Sequence, residues 1–314
     1  MSAFYLGIDV GSVSTDLVGM DEKEKICARC YRRSEGRPAE SVAKGLEELF
    51  GTEVPRLSGI GVTGSGRRLI GALLHADAVK NEITAHALAA VKVCPDVRTV
   101  LEIGGQDSKL ILLRQGIVTD FAMNSVCAAG TGSFLDRQAQ RMGIRVEEIG
   151  AYAARAERPT PIAGRCAVFA ESDMIHRQQQ GDTPENILRG LCQALVRNYL
   201  ANLARGKELA APILFQGGVA ANQGIVQAFE EALGQKVRVP ESFDVMGAWG
   251  AALLARSAVG DAAPSRRLEA QRLREPCEVV TFLCEDCSNH CEIRQLRQRE
   301  ESIGSWGSRC GKYS

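Results

Sequence analysis

Two apolar runs joined by a glycine-rich, acidic turn constrain the fold of this chain most strongly. The runs cover residues 99–101 and 110–113, and between them lies the sequence Glu-Ile-Gly-Gly-Gln-Asp, which ends at Asp107. Glycine lets backbone N–H groups approach phosphate oxygens, and a carboxylate can hold a water molecule bound to magnesium. The stretch therefore predicts a phosphate-binding hairpin, with a catalytic or a binding role for four residues: Gly104, Gly105, Gln106 and Asp107.

The same layout occurs twice more along the chain. An alternating strand at residues 4–10 contains Asp9 and is followed by Gly-Ser, and an apolar strand at residues 212–215 is followed by Gln-Gly-Gly. A single Gly-Ser in a hairpin is more often only a turn. The interpretation of Gly11-Ser12 as a phosphate loop therefore depends on the two similar turns later in the chain. We predict a catalytic role for Asp9. Phosphate-loop contacts are predicted for Gly11, Ser12, Val13, Ser14, Gln216, Gly217, Gly218, Val219 and Ala220.

Strands and helices alternate over most of the chain. Helices are predicted at residues 38–50, 81–93, 133–142, 146–155, 167–180 and 247–256, with a long helix after Pro184. Because a hairpin opens each half, the pattern favours a duplicated α/β fold.

The charge balance argues against two classes of partner. Lys+Arg and Asp+Glu both number 38, so no net field recruits nucleic acid or an anionic membrane. No run approaches the roughly 18 apolar residues of a membrane span, and the first residues lack the features of a signal peptide. We therefore expect a cytoplasmic protein.

Two of the 11 cysteines precede predicted helices. Cys127 comes shortly before the helix at 133–142, and Cys166 directly precedes the helix at 167–180. A thiolate at a helix start lies in a favourable positive field, although lone cysteines at such positions are usually structural. A reducing compartment argues against a disulfide framework, so grouped cysteines suggest metal or cluster ligation.

Other cysteines are expected to be structural. Cys27 and Cys30 lie in one predicted strand, where their spacing places them on opposite faces. Cys192 lies in the long helix and is expected in the core, as is His86 in its own helix.

The composition changes near residue 259, where residues 260–265 form an expected linker. The tail beyond it contains Cys284, Cys287, Cys291 and, much later, Cys310. This spacing fits a structural zinc site or an iron–sulfur site, and the alternative is a flexible thiol-rich tail. Residues 293–301 are expected to be helical, and Cys277 is not expected to be a ligand.

Three longer phrases carry a family resemblance. They are Asn-Glu-Ile-Thr-Ala-His-Ala from Asn81, Cys-Ala-Ala-Gly-Thr-Gly-Ser-Phe from Cys127, and Gly-Arg-Cys-Ala-Val-Phe-Ala-Glu-Ser-Asp from Gly164. Together with the three glycine turns, they resemble the activator (archerase) component of 2-hydroxyacyl-CoA dehydratases. That component belongs to the BadF/BadG/BcrA/BcrD-type ATPases of the acetate kinase, sugar kinase, heat-shock-70 and actin superfamily. The resemblance covers roughly residues 4–258, and Asp16 departs from it where many relatives would have lysine.

The resemblance implies a fold and a division of the chain. It implies two duplicated actin-like (ribonuclease H-like) domains with a nucleotide cleft, plus a short cysteine-rich C-terminal tail. Domain I would take residues 1–75 and 245–258, domain II residues 76–244, and the linker and tail residues 259–314.

The resemblance also implies an activity and its cofactors. The cofactors would be ATP/ADP, Mg²⁺ and a 4Fe–4S cluster ligated by Cys127 and Cys166. A cluster takes four thiolates, so a homodimer would share it, with two ligands from each protomer. ATP hydrolysis would drive single electrons from a ferredoxin or flavodoxin into an iron–sulfur dehydratase or reductase. The acceptor stays open between a 2-hydroxyacyl-CoA dehydratase, an aryl-CoA reductase and a double-cubane cluster protein.

Two other functions compete with this interpretation. A small-molecule, sugar-type kinase of the same superfamily would use the glycine turns but leave Cys127 and Cys166 without a role. A nucleotide-switched scaffold with a zinc tail would bind ATP without redox activity. An oxygen-sensitive brown colour in protein purified without air separates an iron–sulfur activase from a kinase.

Overall fold

The computed structural model describes residues 3–51, 53–124, 126–164, 166–260 and 265–313. The chain forms two compact units: unit 1 contains Met1–Ala85 and Gly247–Ser314, and unit 2 contains His86–Met246. None of the described helices has both the length and the apolar character needed to cross a membrane.

Unit 1 is built on a five-stranded sheet. Its strands are β1 (Phe4–Val10), β2 (Ser14–Asp21), β3 (Ile26–Arg33), β4 (Gly59–Thr63) and β5 (Ala78–Val79). The order is β3-β2-β1-β4-β5; β1, β2 and β3 are antiparallel neighbours, whereas β4 runs parallel to β1 and β5. Helices α1 (Pro38–Phe50) and α2 (Arg67–Leu73) belong to this unit. Two further helices occur where the chain passes between units: α3 (Glu82–Val93) and α9 (Met246–Val259).

Unit 2 repeats this sheet pattern. Its strands are β6 (Thr99–Ile103), β7 (Ser108–Arg114), β8 (Ile117–Asn124), β9 (Ile213–Gln216) and β10 (Val237–Arg238), in the order β10-β9-β6-β7-β8. Its helices are α4 (Gly132–Met142), α5 (Ile149–Ala154), α6 (Ala167–Gln179), α7 (Pro184–Leu203) and α8 (Gln223–Leu233). Three antiparallel strands followed by two parallel ones occur in both sheets, which confirms the predicted duplicated α/β fold.

The small residues of α9 let this helix lie directly on the sheet of unit 1. A Cβ added to Gly7 in β1 would lie 1.9 Å from the carbonyl oxygen of Ala248, and one added to Gly61 in β4 would lie 1.9 Å from that of Ala251. Both strand positions therefore need glycine, because the helix backbone occupies the space of a side chain.

Residues 265–313 fold as part of unit 1. They contain three antiparallel strands, β11 (Glu278–Leu283), β12 (Glu292–Gln298) and β13 (Glu301–Trp306). Leu273 and Leu296 are buried in the same apolar cluster as residues of β1 and β4, whereas the predicted division made this segment a separate tail. Within the expected linker, residues 261–264 lie outside the described residues.

The helix predicted at 293–301 is wrong. The three-residue spacing of Ile293 and Leu296 fits a helix, but both residues lie in β12, which pairs with β11 on one side and β13 on the other. A register shift at Leu296 and Arg297 interrupts the simple alternation of a strand. The strand pattern is therefore visible only once the pairing is known.

Candidate functional site

A buried lysine fixes the carboxylate of Asp107. The turn itself is closed by a hydrogen bond of 3.0 Å from the N–H of Gly104 to the carbonyl of Asp107. Lys109 Nζ lies 2.9 Å from Asp107 Oδ1 and 3.0 Å from Glu102 Oε2. Lys109 and Glu102 are only 2% and 3% exposed, and they face each other across the β6–β7 pair. The carboxylate of Asp107 is thus held in one orientation at the end of the hairpin.

The two glycine turns of unit 2 lie side by side against Glu102. Gly217 has a φ of +88°, and a Cβ at this position would lie 2.7 Å from Glu102 Oε1. A Cβ on Gly104 would lie 3.3 Å from the same oxygen. Because β6 and β9 are neighbours in the sheet, with Glu102 opposite Gln216, both turns begin at the same edge. Unit 2 therefore assembles two of the three predicted turns into one surface.

The side chain of Gln216 lies inside unit 2. It is fully buried, and its Nε2 atom lies 3.0 Å from Nδ1 of His86, which is also buried, as expected for a packed histidine. Val219 and Ala220 are buried as well. The predicted nucleotide contacts of Gln216, Val219 and Ala220 stay a prediction. The side chain of Gln216 is buried against His86, so it supports the turn from inside unit 2.

The predicted turn of unit 1 is held by a second glycine-containing loop. The N–H of Gly11 bonds to the carbonyl of Ser14 at 2.8 Å, and the N–H of Gly66 bonds to the carbonyl of Val10 at 2.9 Å. A Cβ on Gly64, which has a φ of +88°, would lie 2.5 Å from Asp9 Oδ1. Gly64 is therefore needed for Asp9 to keep its place. The sequence signal for this support was the Gly-Ser-Gly that follows β4, which received no role from the sequence alone.

Asp16, the departure from the family pattern, faces the same turn. It is the cross-strand partner of Asp9 in the β1–β2 pair and is buried. Its Oδ2 atom lies 3.4 Å from the hydroxyl of Ser14. A residue at this position thus directly adjoins Asp9.

The backbone of Cys127 is held by the side chain of Asn124. Asn124 Nδ2 donates to the carbonyl of Cys127 at 2.8 Å, and Asn124 Oδ1 accepts the N–H of Cys127 at 2.9 Å. A 3₁₀ turn at Ala128–Gly130 follows, and α4 begins at Gly132. The thiol is partly exposed, so a ligand can reach it.

Cys166 occupies the N-cap of α6. Its backbone is extended, with φ −142° and ψ 133°, and its carbonyl accepts the N–H of Ala170 at 2.9 Å. The thiol is partly exposed and makes no cap hydrogen bond. The predicted helix start at Cys166 is confirmed, and Cys127 likewise precedes helical turns.

Glu171 joins the helices that follow the two cysteines. Its carboxylate lies 3.3 Å from Nε of Arg137 and 3.4 Å from Nε2 of Gln138, and it also pairs with Arg141. The hydrogen bond from Arg141 lowers the pKa of Glu171 from its ordinary value. The carboxylate is therefore charged at neutral pH and ties α6 to α4.

Exposed apolar side chains flank both cysteines. Val126 is 94% exposed, and Val168 and Phe169 are 68% and 66% exposed. Exposed apolar residues commonly mark a contact surface where they are contiguous, as Val168 and Phe169 are along the chain. We call these three residues the cysteine-flanking surface.

Two turns at one end of the three-stranded sheet carry the four tail cysteines. The N–H of Cys284 bonds to the carbonyl of Cys291 at 2.9 Å across the β11–β12 loop, which also contains Cys287. The segment with Cys310 packs beside this loop, because the rings of Phe282 and Tyr313 lie 5.6 Å apart. Within the described parts of the chain, however, no three His, Cys, Asp or Glu side chains come close enough to hold a metal ion.

The cysteines expected to be structural behave as expected. Cys27 is exposed and Cys30 is buried, as their opposite faces in β3 require. Cys192 is fully buried in the core of unit 2, and burial raises its pKa to about 12. A thiol with so high a pKa is a poor ligand.

The chain is similar to a known ATPase family and to activating proteins of CoA-dependent enzymes. Residues 6–255 match the BadF/BadG/BcrA/BcrD ATPase family. The (R)-2-hydroxyglutaryl-CoA dehydratase activating ATPase of Acidaminococcus fermentans is 33% identical, and the match covers 81% of this chain and 98% of that protein. One component of the benzoyl-CoA reductase of Thauera aromatica is 32% identical, over 79% of this chain and 91% of that protein.

One solved structure shares the fold closely. It is the activator of the 2-hydroxyisocaproyl-CoA dehydratase from Clostridium difficile with bound ADPNP. The TM-score is 0.76 at 32% identity, and the match covers 82% of this chain and 95% of that one. The tail beyond residue 255 lies outside the family match.

Proposed function

The chain belongs to the BadF/BadG/BcrA/BcrD ATPase family, and on that premise we propose that it is an ATP-dependent reductive activase. It couples ATP hydrolysis to the transfer of single low-potential electrons into a partner iron–sulfur enzyme. The observation that carries this proposal is the placement of Cys127 on a segment bonded to the predicted phosphate turn. A kinase of the same fold has no need for such a cysteine.

The glycine turns supply the nucleotide contacts in this proposal. Backbone N–H groups near Gly104 and Gly105 bind phosphate oxygens, with Gly217 and Gly218 beside them. The turn that contains Gly11, Ser12, Val13 and Ser14 serves the same purpose in unit 1. The ADPNP bound to the Clostridium difficile activator supports a nucleotide for this chain.

Asp107, Asp9 and Gln106 are the proposed catalytic residues. Asp107 would hold a water molecule bound to magnesium, and Lys109 fixes the orientation of the Asp107 carboxylate through the 2.9 Å contact. Gln106 orients the attacking water. A fixed carboxylate costs no reorganisation at the moment of reaction, which is why such preorganisation accelerates hydrolysis.

Cys127 and Cys166 are the proposed ligands of a 4Fe–4S cluster. Partly exposed cysteines at helix starts suit this group, because iron–sulfur clusters are held by thiolates and carry negative charge. When bound, the cluster supplies a one-electron carrier. Two thiolates per chain supply half of the required set, so we propose a homodimer that shares one cluster. The cysteine-flanking surface supports a second copy of the chain at this position, since its exposed apolar residues lie close to each ligand in the sequence.

The electron donor in this proposal is a ferredoxin or flavodoxin. The acceptor is an iron–sulfur dehydratase or reductase that acts on a CoA thioester, a class supported by the dehydratase and the reductase with which the relatives are associated. A double-cubane cluster protein is a further acceptor class that the sequence leaves open.

Iron analysis of protein purified without air tests the proposal. Cys127→Ser and Cys166→Ser should each lower cluster iron from about four per dimer towards none, whereas nucleotide binding should persist. Cys277→Ser is the matched control, since Cys277 is exposed and belongs to neither ligand set. A normal cluster in both ligand variants would defeat the assignment. Colourless protein that phosphorylates a sugar would favour the kinase instead.

The tail cysteines form a second proposed metal site. The packing of the Cys310 segment beside the β11–β12 loop supports a zinc or iron–sulfur site made by Cys284, Cys287, Cys291 and Cys310. Because no three of these side chains meet in the described geometry, metal binding requires the two turns to move together.

A further inference from the structure

The start of α4 is bonded to the predicted phosphate turn. The N–H of Gly132 donates to the carbonyl of Gly104 at 2.9 Å, and the N–H of Ser133 donates to the carbonyl of Gly105 at 2.8 Å. The hydroxyl of Ser133 also donates to the carbonyl of Gly105, at 2.6 Å. Three hydrogen bonds thus join the helix that follows Cys127 to the two glycines predicted to bind phosphate.

These bonds take the place of an ordinary helix cap. Thr131 occupies the N-cap of α4, but its hydroxyl donates to the carbonyl of Ala128 at 2.8 Å and does not cap the helix. The first N–H groups of a helix need acceptors, and here the turn provides them. The close approach depends on glycine, because a Cβ on Gly132 would lie 3.1 Å from the carbonyl oxygen of Gly104.

The segment is also held at its other end. Asn124, which bonds both backbone groups of Cys127, is the β8 partner of Ser108, the residue directly after Asp107. The middle of the segment packs closely on Asn198, because a Cβ on Gly130 would lie 2.9 Å from Asn198 Oδ1. Residues 127–132 are therefore fixed at both ends to the hairpin that contains Asp107.

We propose that Ser133 is a positioning residue that couples the phosphate turn to Cys127. This inference rests on the proposed function. It adds to that function the contact through which nucleotide binding affects Cys127. When phosphate binds the turn, the carbonyl of Gly105 changes its position, and the two bonds from Ser133 carry α4 and Cys127 with it. The hydroxyl of Ser133 contacts the carbonyl of Gly105 and not Cys127 itself, so its effect on Cys127 is transmitted through the start of α4.

Alkylation of Cys127 in the full-length protein tests the coupling without a cluster. The protein is purified in air, treated with iodoacetamide with and without Mg²⁺ and ADPNP, and analysed by mass spectrometry for each cysteine. In the unmodified chain, ADPNP should change the alkylation rate of Cys127 at least about fivefold, as expected for typical coupling between two sites. The exposed Cys277 serves as the internal reference and should be insensitive to the nucleotide.

Three substitutions assign the effect to Ser133. Ser133→Ala removes one hydrogen bond of the helix start and should reduce the nucleotide effect to below about twofold. Ser133→Thr keeps a hydroxyl and should restore most of it. Ser172→Ala is the matched control, because the hydroxyl of Ser172 donates to the carbonyl of Val168 within α6, away from the phosphate turn.

The outcomes separate this inference from the proposed function. A full nucleotide effect in Ser133→Ala, with unchanged ADPNP binding by calorimetry, would overturn the role of Ser133. An equal loss in Ser172→Ala would also overturn it, because the effect would then be general. Failure of the cluster assignment would instead appear as missing iron in protein purified without air, and the alkylation result would stand independently.

Discussion

At the scale of single residues, Lys109 determines how the turn at Asp107 is built. Its ammonium group contacts the carboxylates of both Glu102 and Asp107 inside unit 2. A buried ammonium group is stable only while its carboxylate partners are present. The ion pairs of Lys109 therefore stabilise unit 2 and also hold the shape of the turn at Asp107. Asp9 is placed in a different way, because Gly64 leaves the space that its carboxylate occupies.

Asp9→Asn and Asp107→Asn should each lower the ATP hydrolysis rate about a hundredfold or more, because each removes a charge that positions magnesium and water. Nucleotide affinity, measured by calorimetry, should fall much less than the turnover rate. Asp120→Asn is a matched control, since Asp120 pairs with Lys207 on the surface of unit 2. Turnover near that of the unmodified protein in both variants would show that the acids only shape turns.

Lys109→Met should lower the free energy of unfolding by about 3 kcal/mol or more, because it removes the cation that two carboxylates face in a buried position. Urea unfolding followed by circular dichroism measures the change. Lys236→Met removes an ion pair of similar length, 3.1 Å, from a side chain that is 90% exposed, and should have a much smaller effect. Equal effects of the two substitutions would contradict the assigned role of Lys109.

At the scale of elements, the three-stranded sheet β11–β13 explains how the tail is stabilised. Leu273 and Leu296 reach the core of unit 1, and a Cβ on Gly304 would lie 2.8 Å from the Cβ of Ala72 in α2. A deletion of the tail would therefore expose apolar core residues and confuse loss of metal with loss of folding. Cysteine substitutions are the better test of the second metal site.

Cys287→Ser combined with Cys310→Ser should remove one metal equivalent per chain, measured by elemental analysis of protein that also contains Cys127→Ser. Cys287 and Cys310 are exposed, so their replacement should leave the strands folded. Cys277→Ser in the same background serves as the control. Equal metal content in the two proteins would show that the tail cysteines bind no metal.

At the scale of the whole molecule, the proposed homodimer depends on the cysteine-flanking surface. Phe169→Asp should weaken the dimer at least about tenfold in analytical ultracentrifugation, since a central aromatic residue commonly dominates an interface. Leu283→Asp is the control, because Leu283 is 64% exposed and lies in the three-stranded sheet. An unchanged association constant for Phe169→Asp would move the dimer contact elsewhere.

The sequence alone determined the elements and turns that depend on local physics. An alternating apolar pattern predicted β1, continuous apolar runs predicted β6 and β9, and an acid close to glycine marked the turns at Asp9 and Asp107. The helix starts after Cys127 and at Cys166 followed from the helical runs beside them, and the longer phrases identified the family. These features are readable because backbone sterics and side-chain alternation act within a few residues.

The tertiary structure alone decided which groups meet. The outer face of β8 mixes exposed apolar and polar residues, so its strand pairing was not predicted. The roles of Lys109 and Ser133 depend on partners that strand pairing and chain folding bring near, namely Glu102 and Gly105, and the tail strands needed neighbours to define them. Such contacts form only when distant segments pack together, because the free energy that fixes them comes from burial and pairing across the fold.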